Sequence, residues 1–139
     1  YWDSQARAVL CGMSRTTGKN EIVRAALDCI AYQIADIVKA MEGSAGLPIH
    51  ELRVDGGPTR NAYLMQLQSD LLNIRVRVPE AEELSGIGAA YAAGLAAGLY
   101  GQAVFERLGR TSYDPQMTAE IRKKKMAGWQ DSVNRARSQ

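Results

Sequence analysis

An α/β fold is predicted for this chain of 139 residues, on three observations. Short apolar segments bounded by turn residues alternate with longer segments of helical periodicity. Residues 74–78 alternate strictly between apolar and charged side chains. The order that results is strand, helix, strand, helix, strand, helix, helix, which is that of strands joined by crossover helices rather than by hairpins.

Residues 8–13 read as a strand ending on Gly12. Between residues 21 and 41, Val23, Ala26, Leu27, Ile30, Ile34, Ile37, Val38 and Met41 recur at helical spacing, with Arg24, Asp28, Asp36 and Lys39 on the other face. Gly43 and Gly46 are expected to end this helix. A strand over 52–55 runs into Gly56, Gly57 and Pro58, and a helix over 59–72 follows, with Leu64, Leu67 and Leu71 on one face and Asn73 as its breaker. In residues 74–78, Ile74, Val76 and Val78 share one face and Arg75 and Arg77 the other, a strand with one wet face or at a sheet margin. Residues 79–84 form an acidic loop. The helix over 86–99 is built from Ala89, Ala90, Ala92, Ala93, Gly94, Ala96 and Ala97, so close approach to its neighbours is expected. A last helix over 118–137 directs Ile121, Trp129 and Val133 inward. Internal repeats and low-complexity segments are absent.

Composition places the chain among folded globular domains, with 46% apolar and 23% charged residues. A domain of this size buries roughly two-thirds of the surface its unfolded chain exposes. The net charge of +2 is small, and the one basic run, Lys123, Lys124 and Lys125, reads as a solvated helix face. A nucleic-acid partner needs a broader basic stripe. The two cysteines, Cys11 and Cys29, sit among apolar residues and read as reduced core residues, not as a disulfide framework or a metal site. No apolar run reaches the about 20 residues that span a bilayer, and no signal peptide is visible, which predicts a cytoplasmic protein without a membrane partner. The chain opens at Tyr1, without an initiator Met, on folded-looking sequence. A piece of a longer protein is expected.

The segment that carries chemistry is Leu52-Arg53-Val54-Asp55-Gly56-Gly57-Pro58-Thr59-Arg60-Asn61. Two glycines at a strand-to-helix turn let backbone approach a ligand without Cβ obstruction. The free amides at a helix start suit polar or anionic groups, and ligands in open α/β sheets bind at the carboxyl ends of strands. Taken alone, the segment also describes an ordinary tight turn. It is neither a P-loop, since no G-x-x-x-x-G-K-[ST] occurs, nor a three-glycine dinucleotide fingerprint. The glycines of Ser85-Gly86-Ile87-Gly88 can likewise face a ligand or serve tight packing.

These segments resemble the FGGY family of carbohydrate kinases. Tyr1-Trp2-Asp3 with Ala6-Arg7 is similar to the family's opening run. Leu10, Gly12 and Met13, then Glu21, Ile22, Ala25, Ala26, Leu27 and Asp28, fall at the offsets of its second signature, continued by Ala31-Tyr32-Gln33. The most specific stretch is residues 52–70, ending in YLMQLQSD and most similar to the glycerol-phosphorylating members. GIGAAYAAGLAAGLY over 86–100 and Met126 to Trp129 complete the match, which covers nearly the whole chain. Thr59-Arg60, Ser85 to Gly88, Cys11 and Met13 depart from the common pattern.

The resemblance implies an actin-like ATPase (ribonuclease-H-like) α/β fold, of which residues 1–139 would be the C-terminal nucleotide-binding domain in part. It implies ATP and Mg²⁺, with ATP/ADP as ligand, and phosphorylation of a polyol or sugar hydroxyl, first of all glycerol, with erythritol, xylulose and ribulose as alternatives. By position, Gly57 and Asn61 contact the nucleotide and Gly56 shapes the turn; Asp55 lines the pocket or caps the next helix. Gly86 and Gly88 fall in the connecting helix at the interdomain hinge, where packing explains them as well. The catalytic base and the residues gripping the polyol lie upstream in this family, so no catalytic residue is assigned and the chain alone is expected to be inactive. Asp28, Asp36 and Asp70 read as solvated or capping residues, and His50 as a surface residue. Missing upstream strands predict an exposed sheet edge or apolar patch and a homo-oligomer. Two other classes compete: a non-catalytic actin-like module that uses nucleotide for switching, and a dinucleotide-dependent oxidoreductase, for which the three-glycine turn is lacking.

Overall fold

The structure, a computed structural model, describes residues 3–81, 84–106 and 109–137. The long amphipathic segment forms α1 (Lys19–Ala45). Its start is fixed by the Gly18 amide, which donates to Glu21 Oε2 at 2.8 Å. Hydrogen bonds from the amides of Glu21 itself and Gly18 hold the Glu21 carboxyl below its usual range. Gly43 stays helical. Gly46 is the terminator: its φ is 65°, and its amide reaches Glu42 O at 2.9 Å. That left-handed conformation costs glycine little and other residues more.

β1 (Glu51–Arg53) leads through the turn and a 3₁₀ segment, Gly57–Arg60, into α2 (Ala62–Leu72). Asn73 ends α2 in the left-handed region, at φ 57°. β2 (Arg75–Pro79) pairs in parallel with β1, Leu52 opposite Val76. α3 (Leu84–Ala96), a second 3₁₀ segment (Gln102–Glu106), β3 (Arg110–Tyr113) and α4 (Ala119–Ala136) follow. β3 runs antiparallel to β2, Val76 opposite Tyr113, and the sheet order is β1-β2-β3.

The core lies on both sides of α2. Ala31 and Ala35 of α1, Leu64, Met65, Leu67 and Leu71 of α2, and Val76 of β2 form one buried cluster, with Leu52, Val54, Val78 and Tyr113 packed against it. Two alanines one turn apart on α1 let α2 approach closely, and the period-2 alternation of β2 turns its valines toward α2. Val76 has no exposed surface at all.

Polar groups inside this core close the connections that the sheet leaves open. The Ser69 hydroxyl lies 2.8 Å from Ile74 O and 2.9 Å from Tyr113 O. Buried Asp70 accepts from the amides of Gln116 at 2.6 Å and Met117 at 3.1 Å. Arg122 reaches back from α4 to Asp70 O at 2.6 Å and to Asn73 Oδ1 at 2.6 Å. α4 is further tied to α1 by Trp129, whose ring stacks on Tyr32 at 5.2 Å between centroids and whose Nε1 donates to Asp36 at 2.7 Å.

Several expectations are corrected. Residues 8–13 form no strand; no described strand lies alongside them, and their side chains are exposed. Cys11 is accordingly exposed rather than in a core, 3.2 Å from Ser132 Oγ, whereas Cys29 is half-buried; both are free. Ile121 is also exposed, while Trp129 and Val133 are half-buried, because α4 meets the rest of the chain along a narrow strip. Of the two roles expected for Asp36 and Asp70, solvated or capping, the first does not hold: Asp36 accepts from Trp129 and Asp70 from the amides of Gln116 and Met117. β3 was not foreseen. Its Arg-Thr-Ser-Tyr sequence has no apolar alternation, and it is a strand because β2 offers it a free edge. The predicted exposed apolar surface is present: Ile22, Val23, Ile30, Ile37 and Met41 of α1 are all open to solvent. No helix among the described residues is long and apolar enough to cross a membrane.

Asp70→Ala would remove a largely buried carboxylate that accepts from two backbone amides. It is expected to lower the unfolding free energy by about 2–4 kcal/mol in urea titration. Asp114→Ala, which removes the surface partner of Arg75, should cost less than about 1 kcal/mol. Equal losses for the two would show that the buried network is not what holds α4 in place.

Candidate nucleotide-binding turn

The turn begins where β1 ends. The Val54 amide donates to Arg77 O at 3.1 Å, which carries the sheet pairing one residue past the strand. Gly56 then adopts φ 95° and ψ 173°, a conformation that a side chain would strain. Its carbonyl accepts from the Thr59 amide at 3.1 Å and the Thr59 hydroxyl at 2.7 Å, which closes the 3₁₀ turn. Pro58 at the start of that turn gives up an N–H that would have no partner there. The Asn61 amide donates to Pro58 O at 3.1 Å, and Asn61 Oδ1 caps α2 by accepting from the Leu64 amide at 3.1 Å.

The cap is therefore Asn61 and not Asp55, which decides one of the two roles open to Asp55. The other is consistent with its place: Asp55 lines a cleft of about 100 Å³ with Arg53, Val54, Arg77, Pro79, Leu84 and Arg110. Gly56 and Gly57 are exposed, and a Cβ at either would meet no atom within 4 Å. The turn is thus an open shelf. Gly57 opens the 3₁₀ segment that leads into α2.

Leu84, the first residue of α3, brings the small-residue helix to the same cleft. Close packing of that helix is not found: a Cβ at Gly86 or Gly88 would meet nothing within 4 Å. Only Gly94 is packed, against the Tyr100 ring. Within the chain, α3 meets mainly the segment after it, where Tyr91 packs edge-on against Phe105 at 5.6 Å. Among the described residues nothing packs on Gly86 or Gly88 of its small face. Glu82 and Glu83 of the acidic loop, and Tyr1 and Trp2 of the opening run, lie outside the described residues.

Charge around the turn is organised by one carboxylate. Glu51 Oε1 accepts from Arg53 at 3.0 Å, and Arg77 Nε lies 2.6 Å from Oε2 without hydrogen-bond alignment. The hydrogen bond from Arg53, with the charges of Arg77, Arg53 and Arg75, holds the Glu51 carboxyl below its usual range. Arg75 pairs with Asp114 at 2.7 Å, and this hydrogen bond raises its own titration further. The two arginines of the wet strand face are both engaged. His50 is exposed, as expected.

A second cluster stands behind Asn61 and was not foreseen. The Tyr63 hydroxyl donates to Asp28 Oδ1 and accepts from Arg24 Nε, and the Arg24 guanidinium lies 3.9 Å from the Tyr63 ring centroid. Burial first, then the hydrogen bond and charge of Asp28, push the Tyr63 phenol up to about 12. The i, i+4 spacing of Arg24 and Asp28 was visible in the sequence; their meeting with a residue of α2 was not. Asp28 is thus engaged, as are Asp36 and Asp70.

Residues 1–97 match the FGGY family of carbohydrate kinases, C-terminal domain. This chain belongs to that family. It is 42% identical to the glycerol kinase of Brevibacillus brevis over 96% of its length and 44% identical to that of Acinetobacter baylyi over 99%. Its structure is similar to that of Plasmodium falciparum glycerol kinase with ADP, at TM-score 0.89 and 35% identity over 99% of the chain. A xylulose kinase from Brucella ovis, at TM-score 0.72 and 22% identity, shares the fold. The fold is the actin-like ATPase fold, of which this chain shows a mixed α/β part. The chain spans 27% and 28% of the two bacterial relatives and 28% of the Plasmodium chain.

Gly56→Ala is expected to destabilise the chain by about 1–3 kcal/mol through backbone strain alone, while Gly57→Ala should be nearly neutral in the same thermal denaturation. The Tyr63 phenol has a raised folded-state value, so its contribution to stability is complete below pH ~10 and fades as pH climbs towards about 12. Ultraviolet titration of wild type against Tyr63→Phe should show one phenol ionising near the top of that range. Asp28→Asn should bring it down only in part, since burial, the largest cause, remains.

Proposed function

We propose that this chain is the nucleotide-holding part of an ATP-dependent kinase that phosphorylates a polyol hydroxyl, glycerol in the first place. One observation carries the reading: the similarity over 99% of the chain to a glycerol kinase structure with ADP, with Gly56, Gly57 and Asn61 arranged as an open shelf at the strand end. In this reading Gly57 and Asn61 contact the nucleotide, Gly56 gives the turn its shape and Asp55 lines the adjoining cleft. Gly86 and Gly88, unpacked on α3, serve as the hinge.

The residues fit a nucleotide. A side chain at Gly57 would occupy the open space over the shelf. Asn61 keeps its Nδ2 donors for a ligand, since Oδ1 is spent on the cap. ATP supplies the phosphoryl group that passes to the acceptor hydroxyl, with ADP as the leaving group, and such transfer depends mainly on positioning and charge neutralisation. Among the described residues no group of three or more His, Cys, Asp or Glu could hold a metal ion. In this reading Mg²⁺ is held by the nucleotide phosphates with one or two carboxylates, as is usual for this ion. Asp28, Asp36 and Asp70 are each committed to structural hydrogen bonds, which supports placing the base outside this chain. The exposed apolar face of α1 supports self-association, and the cytoplasm suits free thiols.

The 139-residue chain should bind ADP in calorimetry and consume no ATP with glycerol. Gly57→Ala should weaken ADP binding without lowering the thermal midpoint. The protein expressed from the native gene, offered Mg²⁺-ATP with glycerol, erythritol, xylulose and ribulose, should turn over with glycerol. ADP binding with no turnover on any acceptor would instead favour the nucleotide-switched module.

A further inference from the structure

We infer that Tyr63 is a positioning residue for the nucleotide, acting through Asn61, so that the Tyr63–Asp28–Arg24 cluster ties nucleotide affinity to the docking of α1 on α2. This rests on the nucleotide reading of the turn proposed above. The Asn61 side chain can present its Nδ2 donors in one direction only if the first turn of α2 is held still. Upstream of it the 3₁₀ turn closes on itself through Thr59 and the Asn61 amide, but Gly56, Gly57 and Pro58 are exposed, so that side brings local bonds and little packing. The first turn is also the part of a helix whose amides lack intrahelical partners.

Anchorage falls to the side chains of the first turn. Ala62 is exposed and Leu64 is buried but non-directional. Tyr63, two residues after Asn61, supplies the direction. Its hydroxyl is used both as donor, to Asp28, and as acceptor, from Arg24. The Arg24 guanidinium covers the ring, and Arg24 Nε lies 3.5 Å from Asp28 Oδ1, so the three groups close on one another. Charge-assisted hydrogen bonds of this kind are about twice as strong as neutral ones and fix geometry as well as distance. Ring packing alone would not need a carboxylate drawn from solvent, and the Asp28 side chain is only 17% exposed. Arg24 and Asp28 both lie on α1, so a shift of α1 along α2 would move the cap residue with it.

The test is a double-mutant cycle on the 139-residue chain, with ADP as the titrant in calorimetry and with thermal unfolding recorded for each variant. Tyr63→Phe keeps the ring and its contact with Arg24 and removes only the hydroxyl. It should weaken ADP binding roughly three- to tenfold, and Asn61→Ala should weaken it more. The double variant should bind no worse than Asn61→Ala alone, since the hydroxyl would then have nothing left to position. Asp28→Asn should shift the affinity in the same direction as Tyr63→Phe. An unchanged ADP affinity in Tyr63→Phe, whatever its thermal midpoint, would overturn the inference and leave a structural contact. So would additive losses in the double variant. Absence of ADP binding by the unaltered chain would instead remove the nucleotide reading itself.

Discussion

The seating of α2 on α1 is the contact on which the rest of the structure depends. Ala31 and Ala35 leave room for Leu64, Leu67 and Gln68 of α2, and all five are almost wholly buried. Interiors this closely packed tolerate little change of volume. Much else is attached to α2: β2 lies against its other side, Asp70 and Ser69 hold the chain around 113–117, and Asn61 at its head is the end of the turn. The position of the candidate site is thus set by a helix pair and only secondarily by the sheet.

The small sheet is stabilised differently on its two faces. One face places Leu52, Val76, Val78 and Tyr113 against the helical core. The other carries Glu51, Arg53, Arg75 and Arg77, and the register sets Arg53 directly opposite Arg77. Like charges in that position are unfavourable. Glu51, shared between the two, offsets the repulsion, at the expense of its own protonation. β3 completes the sheet with almost no apolar content, because hydrogen bonding to β2 and the Ser69 bond to Tyr113 O are enough to hold it.

Several apolar and small-residue surfaces are open to solvent. The apolar side of α1 beyond Ala31, Ala35 and Val38 is exposed, as is the small face of α3 and the extended run over residues 8–13. Each carries a pattern suited to burial, and among the described residues each has few partners, such as Ser132 beside Cys11 and Tyr100 on Gly94. The polar residues Asp28, Asp36 and Asp70, by contrast, are satisfied locally, each by a residue distant in sequence.

Much of this was legible in the residues. Helical spacing located α1, α2 and α4, strict alternation located β2, and the paired glycines after β1 marked the turn, because these signals are written in short-range periodicity and backbone freedom. The terminator of α1 was half legible: both Gly43 and Gly46 can end a helix, and only the left-handed backbone at Gly46 shows which one does. The strand expected over residues 8–13 and the close packing expected along α3 at Gly86 and Gly88 were misread for one reason, that a strand or a packed helix face is defined by its neighbour and not by its own composition. By itself the sequence determined the types of α1, β1, α2, β2, α3 and α4, the turn and the family. The tertiary structure alone decided that Asn61 rather than Asp55 caps α2, that Asp70 is an internal ligand of backbone amides, and that Tyr63 meets Asp28 and Arg24. These are contacts between residues 35 to 47 positions apart or choices between equivalent side chains, and local pattern carries no information on either.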